Sequence, residues 1–223
     1  NPDSILYVWQ GGMTGGTGTA AVLTGRISPS GKLPDTIAYN ISDYPSDKNF
    51  GDPVRNFYCE DIYTGYRWFE TFSRNTVRYP FGFGLSYTDF DVKFSSADFK
   101  NNCLYFRFSV KNIGKYRGKE VVQLYYGAPQ GKLGKPSRVL CAYEKTKELA
   151  PDEVQDIKII VKLSEIASYD DSGVTGNQFC WVLEEGSYNF YAGTNVRNAM
   201  LVHTHEVDET TVVKQCVPAL ARS

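Results

Sequence analysis

The chain has 223 residues, room for one large domain or two ordinary ones. Its 42% hydrophobic and 22% charged residues exclude disorder, and 24 basic against 25 acidic side chains give a net charge of -1, without the basic excess of a nucleic-acid binder. No apolar stretch approaches the ~18 residues of a membrane-spanning helix, so neither nucleic acid nor membrane is an expected partner.

Taken in order, the chain opens on Ile5-Leu6-Tyr7-Val8-Trp9, a continuous apolar run of the kind expected for a strand buried on both faces. No charged leader precedes it, and a buried-type strand so close to Asn1 reads as a chain cut from something larger. Seven of the 20 glycines then fall between Gly11 and Gly31. Within that zone Thr17 to Leu23 predicts a short helix closed by Gly25. Ser28-Pro29-Ser30-Gly31 is a turn, and Leu33-Pro34 leaves it extended. Residues 40–56 are polar and rich in Asp, Ser, Pro and Asn, a long loop of the kind that often carries function. Phe57 to Phe72 returns to aromatic and apolar residues, and Tyr79 to Leu85 mixes aromatics with glycine without a helical period.

After Tyr87 the pattern becomes regular alternation: Phe90, Val92, Phe94; Leu104, Phe106, Phe108, Val110; Val122, Leu124, Tyr126; Ile157, Ile159, Val161; Tyr188, Phe190, Ala192. Turn signals such as Asn112-Ile113-Gly114-Lys115 and Pro151-Asp152-Glu153 separate these runs. Short alternating strands at this spacing predict an antiparallel β-sandwich. The abundance of Tyr (16) and Phe (13) agrees with a strand-rich chain. Beyond Asp208 the alternation fades, and the end of the chain reads as a linker or tail.

Cys59, Cys103, Cys141, Cys180 and Cys216 are odd in number and widely spaced, which disfavours a disulfide framework. Mostly reduced thiols lean towards a reducing, cytoplasmic compartment.

Candidate chemistry is sparse. Gly11 to Gly18 lies between the apolar run and the predicted helix, where backbone N–H groups could hold a phosphate. The helix is stopped too soon, however, and residues 28–34 cannot supply the second strand of a dinucleotide fold. A tight crossover is the better reading. Glu60 and Asp61 are adjacent carboxylates. Neighbours on an extended strand point to opposite faces, so they cannot be a glycosidase pair about 5–5.5 Å apart across one bond. His203 and His205 could share a strand face in the manner of metal ligands, but no third ligand stands at a suitable spacing, and an exposed edge is favoured. Tyr58, Tyr63, Tyr66, Trp68 and Phe69 could stack on sugar rings, with core packing the plainer alternative. Spacing alone yields no complete catalytic set.

Four ordered segments carry a resemblance. Gln10-Gly11-Gly12-Met13-Thr14-Gly15-Gly16 with Ala20-Ala21-Val22-Leu23-Thr24-Gly25, then Ser28-Pro29-Ser30-Gly31-Lys32-Leu33-Pro34, then Glu60-Asp61-Ile62-Tyr63-Thr64-Gly65-Tyr66-Arg67-Trp68-Phe69, then Tyr79-Pro80-Phe81-Gly82-Phe83-Gly84-Leu85-Ser86-Tyr87 resemble the C-terminal part of glycoside hydrolase family 3, the β-glucosidase family. Val110-Lys111-Asn112-Ile113-Gly114 with Gly118-Lys119-Glu120-Val121-Val122-Gln123-Leu124-Tyr125 is similar to the fibronectin type III-like domain that follows in many members. The resemblance implies an incomplete α/β sandwich domain over residues 1–90, an all-β fibronectin type III-like sandwich over 91–208, and a linker or tail over 209–223. The family's Asp nucleophile comes from a barrel and its Glu acid/base from a segment ahead of this region, and neither motif occurs here. The implied catalytic residues are therefore absent from this chain, and the implied partner is the remaining polypeptide of the enzyme. A small oligosaccharide is the implied substrate, with neither cofactor nor metal. Asp43 to Asn56 of the long loop is expected to reach the sugar pocket, with Asp47, Lys48, Asn49 and Glu60 as substrate-proximal candidates. A half-domain of this kind is expected to expose Ile5 to Trp9 and to be loose or aggregation-prone alone, while the β-sandwich could fold independently. The rival readings are a non-catalytic carbohydrate-binding or adhesion module and a nucleotide-binding protein.

Overall fold

A computed structural model describes residues 3–218. The chain is mostly β-structure with two short helices, α1 (Gly15–Leu23) and α2 (Tyr66–Phe72). The strands run β1 (Ile37–Ala38), β2 (Val77–Tyr79), β3 (Phe90–Lys100), β4 (Cys103–Asn112), β5 (Val121–Gly127), β6 (Val139–Lys145), β7 (Val154–Lys162), β8 (Ser168–Asp170), β9 (Cys180–Leu183), β10 (Gly186–Gly193), β11 (Met200–Val207) and β12 (Thr211–Gln215).

Two antiparallel sheets, β3-β4-β7 and β11-β10-β5-β6, face each other. Strict alternation on β4 turns Leu104, Phe106, Phe108 and Val110 inward, where they meet Val122, Leu124, Tyr188 and Phe190 from the opposite sheet. Asn101 and Asn102 join β3 to β4 with φ of 52° and 57°, the left-handed pair that a two-residue hairpin turn requires and that Asn tolerates. A third sheet, β12-β9-β8, covers one end through Leu183 and the half-buried Val213.

The predicted helix is present and begins two residues earlier, at Gly15. Gly25 ends it with φ +73°, its N–H bonded to the Val22 carbonyl at 2.9 Å. The long polar loop is bent by two 3-10 turns, Ile41–Asp43 and Pro45–Asn49.

Three expectations need correction. Ile5 to Trp9 forms no strand, while its side chains are exposed as expected of a half-domain, from 42% at Leu6 to 68% at Ile5. A strand buried on both faces needs neighbours on both sides, and the described residues offer it none. Glu60 and Asp61 lie in a turn, with Asp61 at φ 48°, so the alternation of a strand does not apply to them. The stretch taken as a tail carries β12, whose β-branched Thr211, Val212 and Val213 extend and pair with β9. Its side chains are largely exposed, which is why no alternation marks it; residues 219–223 lie outside the described part.

Residues 66–82 lean against the outer face of the β11-β10-β5-β6 sheet. Tyr66 stacks on Phe81 at 4.3 Å, and both rings meet the fully buried Tyr125 edge-on at 6.3 and 6.4 Å. The N–H of Val196 donates to the Phe81 carbonyl at 3.1 Å, and the N–H of Leu140 to the Tyr66 hydroxyl at 2.8 Å. Further along, Lys32 reaches Glu120 at 2.7 Å.

Candidate functional site

The root of the 40–60 loop is fixed before its tip. Tyr44 turns inward, its hydroxyl donating to the Thr36 carbonyl at 3.0 Å and accepting the Ala38 N–H at 3.1 Å. Its ring sits edge-on against Phe69, which is fully buried on α2. Asp43 caps the first 3-10 turn by accepting the Asn40 N–H at 2.9 Å.

Beyond this anchor the loop folds back on itself. Asn49 Nδ2 donates to the Phe57 carbonyl at 2.7 Å, tying the two limbs together across eight positions. Between them Asp52 turns the chain by accepting the N–H groups of Val54 and Arg55 at 2.8 and 2.9 Å. Those two bonds hold its carboxyl below the usual range. The two limbs enclose an open hollow of about 250 Å³, walled by Ser46, Asn49, Asp52, Asn56 and Glu60 with Phe50, Phe57 and Tyr58. Phe50 and Tyr58 are 88% and 89% exposed. Polar groups between presented aromatic faces can hold a polyhydroxylated ring by hydrogen bonding and stacking.

Of the four sequence candidates, Asn49 and Glu60 line this hollow, while Asp47 and Lys48, on the same 3-10 turn as Asn49, lie exposed and do not. Ser46, Phe50, Asp52 and Phe57 were not expected. The Asp52-Pro53 dipeptide is a turn signal that could have placed the reversal, but the Asn49–Phe57 closure leaves no mark in composition.

The aromatic cluster divides. Phe69 is core, Tyr66 packs on Phe81, and Tyr63 and Trp68 both meet Phe72, at 4.9 and 4.8 Å. Tyr58 alone of the five stands out at the hollow. His203 and His205 share one face of edge strand β11, but they are half-buried against aromatic rings and not exposed. Among the described residues no cluster of three metal-ligating side chains surrounds them. All five cysteines are free thiols.

Residues 1–87 match the glycosyl hydrolase family 3 C-terminal domain, and residues 120–196 match the fibronectin type III-like domain. The chain belongs to glycosyl hydrolase family 3. A β-glucosidase of Ruminococcus albus is 56% identical over 221 residues, 99% of this chain and 23% of that protein. β-Glucosidase A of Butyrivibrio fibrisolvens is 45% identical over 95% of this chain and 28% of its own length. Among solved structures, a β-glucosidase from Paenibacillus barengoltzii superposes with a TM-score of 0.88 at 47% identity, over 90% of this chain and 23% of that one. β-Glucosidase 3B from Thermotoga neapolitana, solved with α-D-glucose, gives 0.82 at 39% identity, over 93% of this chain and 28% of that one. The family 3 chain thus spans about a quarter of the length of the relatives it matches. Its fibronectin type III-like match begins at β5 and ends before β11, so the β3–β4 hairpin, which brings Leu104, Phe106, Phe108 and Val110 to the sandwich core, lies between the two family matches.

Proposed function

We propose that this chain is a supporting part of a retaining β-glucosidase, and that it presents the 46–60 hollow at the rim of the sugar pocket. The observation that carries the proposal is the 56% identity to a β-glucosidase across 99% of the chain. In retaining hydrolysis one carboxylate attacks the anomeric carbon while a second carboxyl protonates the leaving oxygen and then activates water. Both are assigned to the remaining polypeptide, which is the proposed partner; no residue of this chain is given a chemical role. Two carboxyl groups suffice for this reaction, so it calls for no cofactor.

Residues 1–90 are assigned to the later part of an α/β sandwich domain and residues 91–208 to the fibronectin type III-like domain. The helix α1 behind a glycine-rich crossover and the motif residues of the first ninety positions support that division. Asn49 and Glu60 are the proposed contacts to an oligosaccharide of terminal β-glucosyl units, and Asp47 and Lys48, on the same 3-10 turn as Asn49, stand outside the lining.

The test is hydrolysis of an aryl β-glucoside and of cello-oligosaccharides. The 223-residue chain alone should be inactive, and the longer protein that carries it active. In that protein Asn49→Ala and Glu60→Gln should raise KM for the oligosaccharide, while Asp47→Ala should leave it unchanged. Activity of the chain alone, free of other protein, would overturn the proposal.

A further inference from the structure

We infer that the β5–β6 loop of the sandwich is a positioning element for the Phe57–Glu60 wall of the hollow, acting through Tyr63 behind it, with Lys135 as its positioning residue. This rests on the reading of the hollow as a sugar-facing site.

The loop, residues 128–138, has no regular structure, yet it is built around a buried ion pair. The side chains of Lys135 and Glu184 are only 4% and 5% exposed and bond directly to each other. Glu184 also accepts the N–H of Lys132 at 2.7 Å and of Leu133 at 3.4 Å, while Lys135 Nζ donates to the Pro129 carbonyl at 2.8 Å. Gln130 closes the ring, its Nε2 donating to the Lys135 carbonyl at 3.0 Å. Gly131 lets the chain wrap the carboxylate, because a Cβ there would collide with it.

A buried pair of this kind adds little net stability over an apolar pair of equal volume, since desolvation of both charges offsets their attraction. What it fixes is the path of the loop. That path ends on the first ninety residues. The Ser137 N–H donates to Thr71 Oγ1 at 3.0 Å and the Ser137 hydroxyl to the Glu70 carbonyl at 2.9 Å, both on α2. Gly134 lies so close to Tyr63 that a Cβ would stand 3.2 Å from its hydroxyl. Tyr63 is held from behind by Phe72 at 4.9 Å, and its N–H donates to the Glu60 carbonyl at 2.8 Å. The route from Lys135 to Glu60 therefore runs through one loop, one ring and one backbone bond. Neither Lys135 nor Glu184 lines the hollow.

The experiment pairs amide exchange with kinetics, both on the longer protein that carries this chain. The Lys135→Met/Glu184→Gln double variant removes both charges and keeps the volume, so folding should survive. Gly134→Val, which presses on Tyr63 with the ion pair intact, serves as the second variant. In both, the amides of Cys59 and Tyr63 should exchange about tenfold faster while those of β4 and β7 stay protected. Unchanged exchange at Cys59 and Tyr63 in both variants would overturn the inference. In the longer protein the same variants should raise KM for an oligosaccharide about threefold or more with kcat unchanged, a split that general destabilisation does not produce. Faster exchange with unchanged KM would uphold the loop as the element that holds Tyr63 and overturn the sugar-site reading on which its role depends.

Discussion

Glu70 on α2 and Arg197 beyond β10, 127 positions apart in sequence, form a direct ion pair in which the carboxylate is almost wholly buried. Arg197 also donates through its Nη2 to the Arg74 carbonyl at 2.8 Å, and Arg74 lies 3.4 Å from the other oxygen of Glu70. The pair joins the family 3 C-terminal region to the sandwich. Its two members are not equivalent, because Glu70 is 2% exposed and Arg197 27%. Arg197→Met leaves the buried carboxylate only the exposed Arg74 at 3.4 Å and should cost about 3 kcal/mol in urea denaturation, the lower end for a broken buried pair. Glu70→Gln leaves a guanidinium with access to water and should cost clearly less. Equal losses would mean that burial does not set the asymmetry.

Gly82 explains part of why the aromatic–glycine segment is recognisable at all. Its φ is +79°, and a Cβ would collide with the side-chain amide of Gln123. Gln123 in turn donates to the Gly82 carbonyl at 3.2 Å and the Thr194 carbonyl at 2.7 Å. Gly82→Ala should therefore destabilise by more than the ~1 kcal/mol of an ordinary glycine replacement. The Gln123→Ala/Gly82→Ala double variant should recover part of that loss, a coupling that a double-mutant cycle measures.

The sandwich was legible where one face is core and the other is not. β4, β7 and β10 alternate in sequence as they do in burial. β6 was not, because Leu140 packs towards Tyr125 and Val196 while Cys141 and Ala142 meet the main core, so both faces are covered and alternation disappears. Ile5 to Trp9 failed for the opposite reason: the apolar pattern was real, and the neighbours that would bury it are not among the described residues. The hollow was half legible. Its location in a long polar loop followed from composition, but its walls depend on Asn49 reaching a backbone carbonyl eight residues on, and backbone partners carry no sequence signature.

His203 and His205 supply a pH dependence near neutrality. Their rings lie 6.5 Å apart, with His205 at 4.7 Å from Phe99 and His203 at 5.9 Å from Phe106 across the sandwich. Burial lowers both pKa values; the His203 ring lowers that of His205 further, with Glu206 and Asp208 acting against it. The unfolded chain takes up these protons from about pH 6.5 downward, before the folded one does. Stability is therefore full above pH 6.5 and declines as pH falls below it. His203→Phe, which also removes a buried Nε2 without a partner, should keep or raise the denaturation midpoint at pH 7 and flatten its fall towards pH 5. An unaltered slope would assign the acid sensitivity elsewhere.

Asp170 acts at the other end of the acid range. It ends β8 fully buried, and burial alone would push its carboxyl up. Bonds from the Thr175 hydroxyl and N–H, the Gly173 N–H and the Ser172 hydroxyl outweigh that and hold the pKa at about 2. A carboxyl whose folded pKa lies below its unfolded value contributes stability that is complete above about pH 4 and is lost as pH falls from there towards 2. Asp170→Asn cannot accept donors at both terminal atoms. It should lower stability at pH 7 by about 1–3 kcal/mol through the unpaired N–H groups of the 172–175 turn. Between pH 4 and pH 2 the difference between the two proteins should shrink, because the native side chain loses its charge over that interval and the variant has none to lose. Parallel denaturation curves across that interval, with a constant gap, would show that the carboxylate is not what closes this turn.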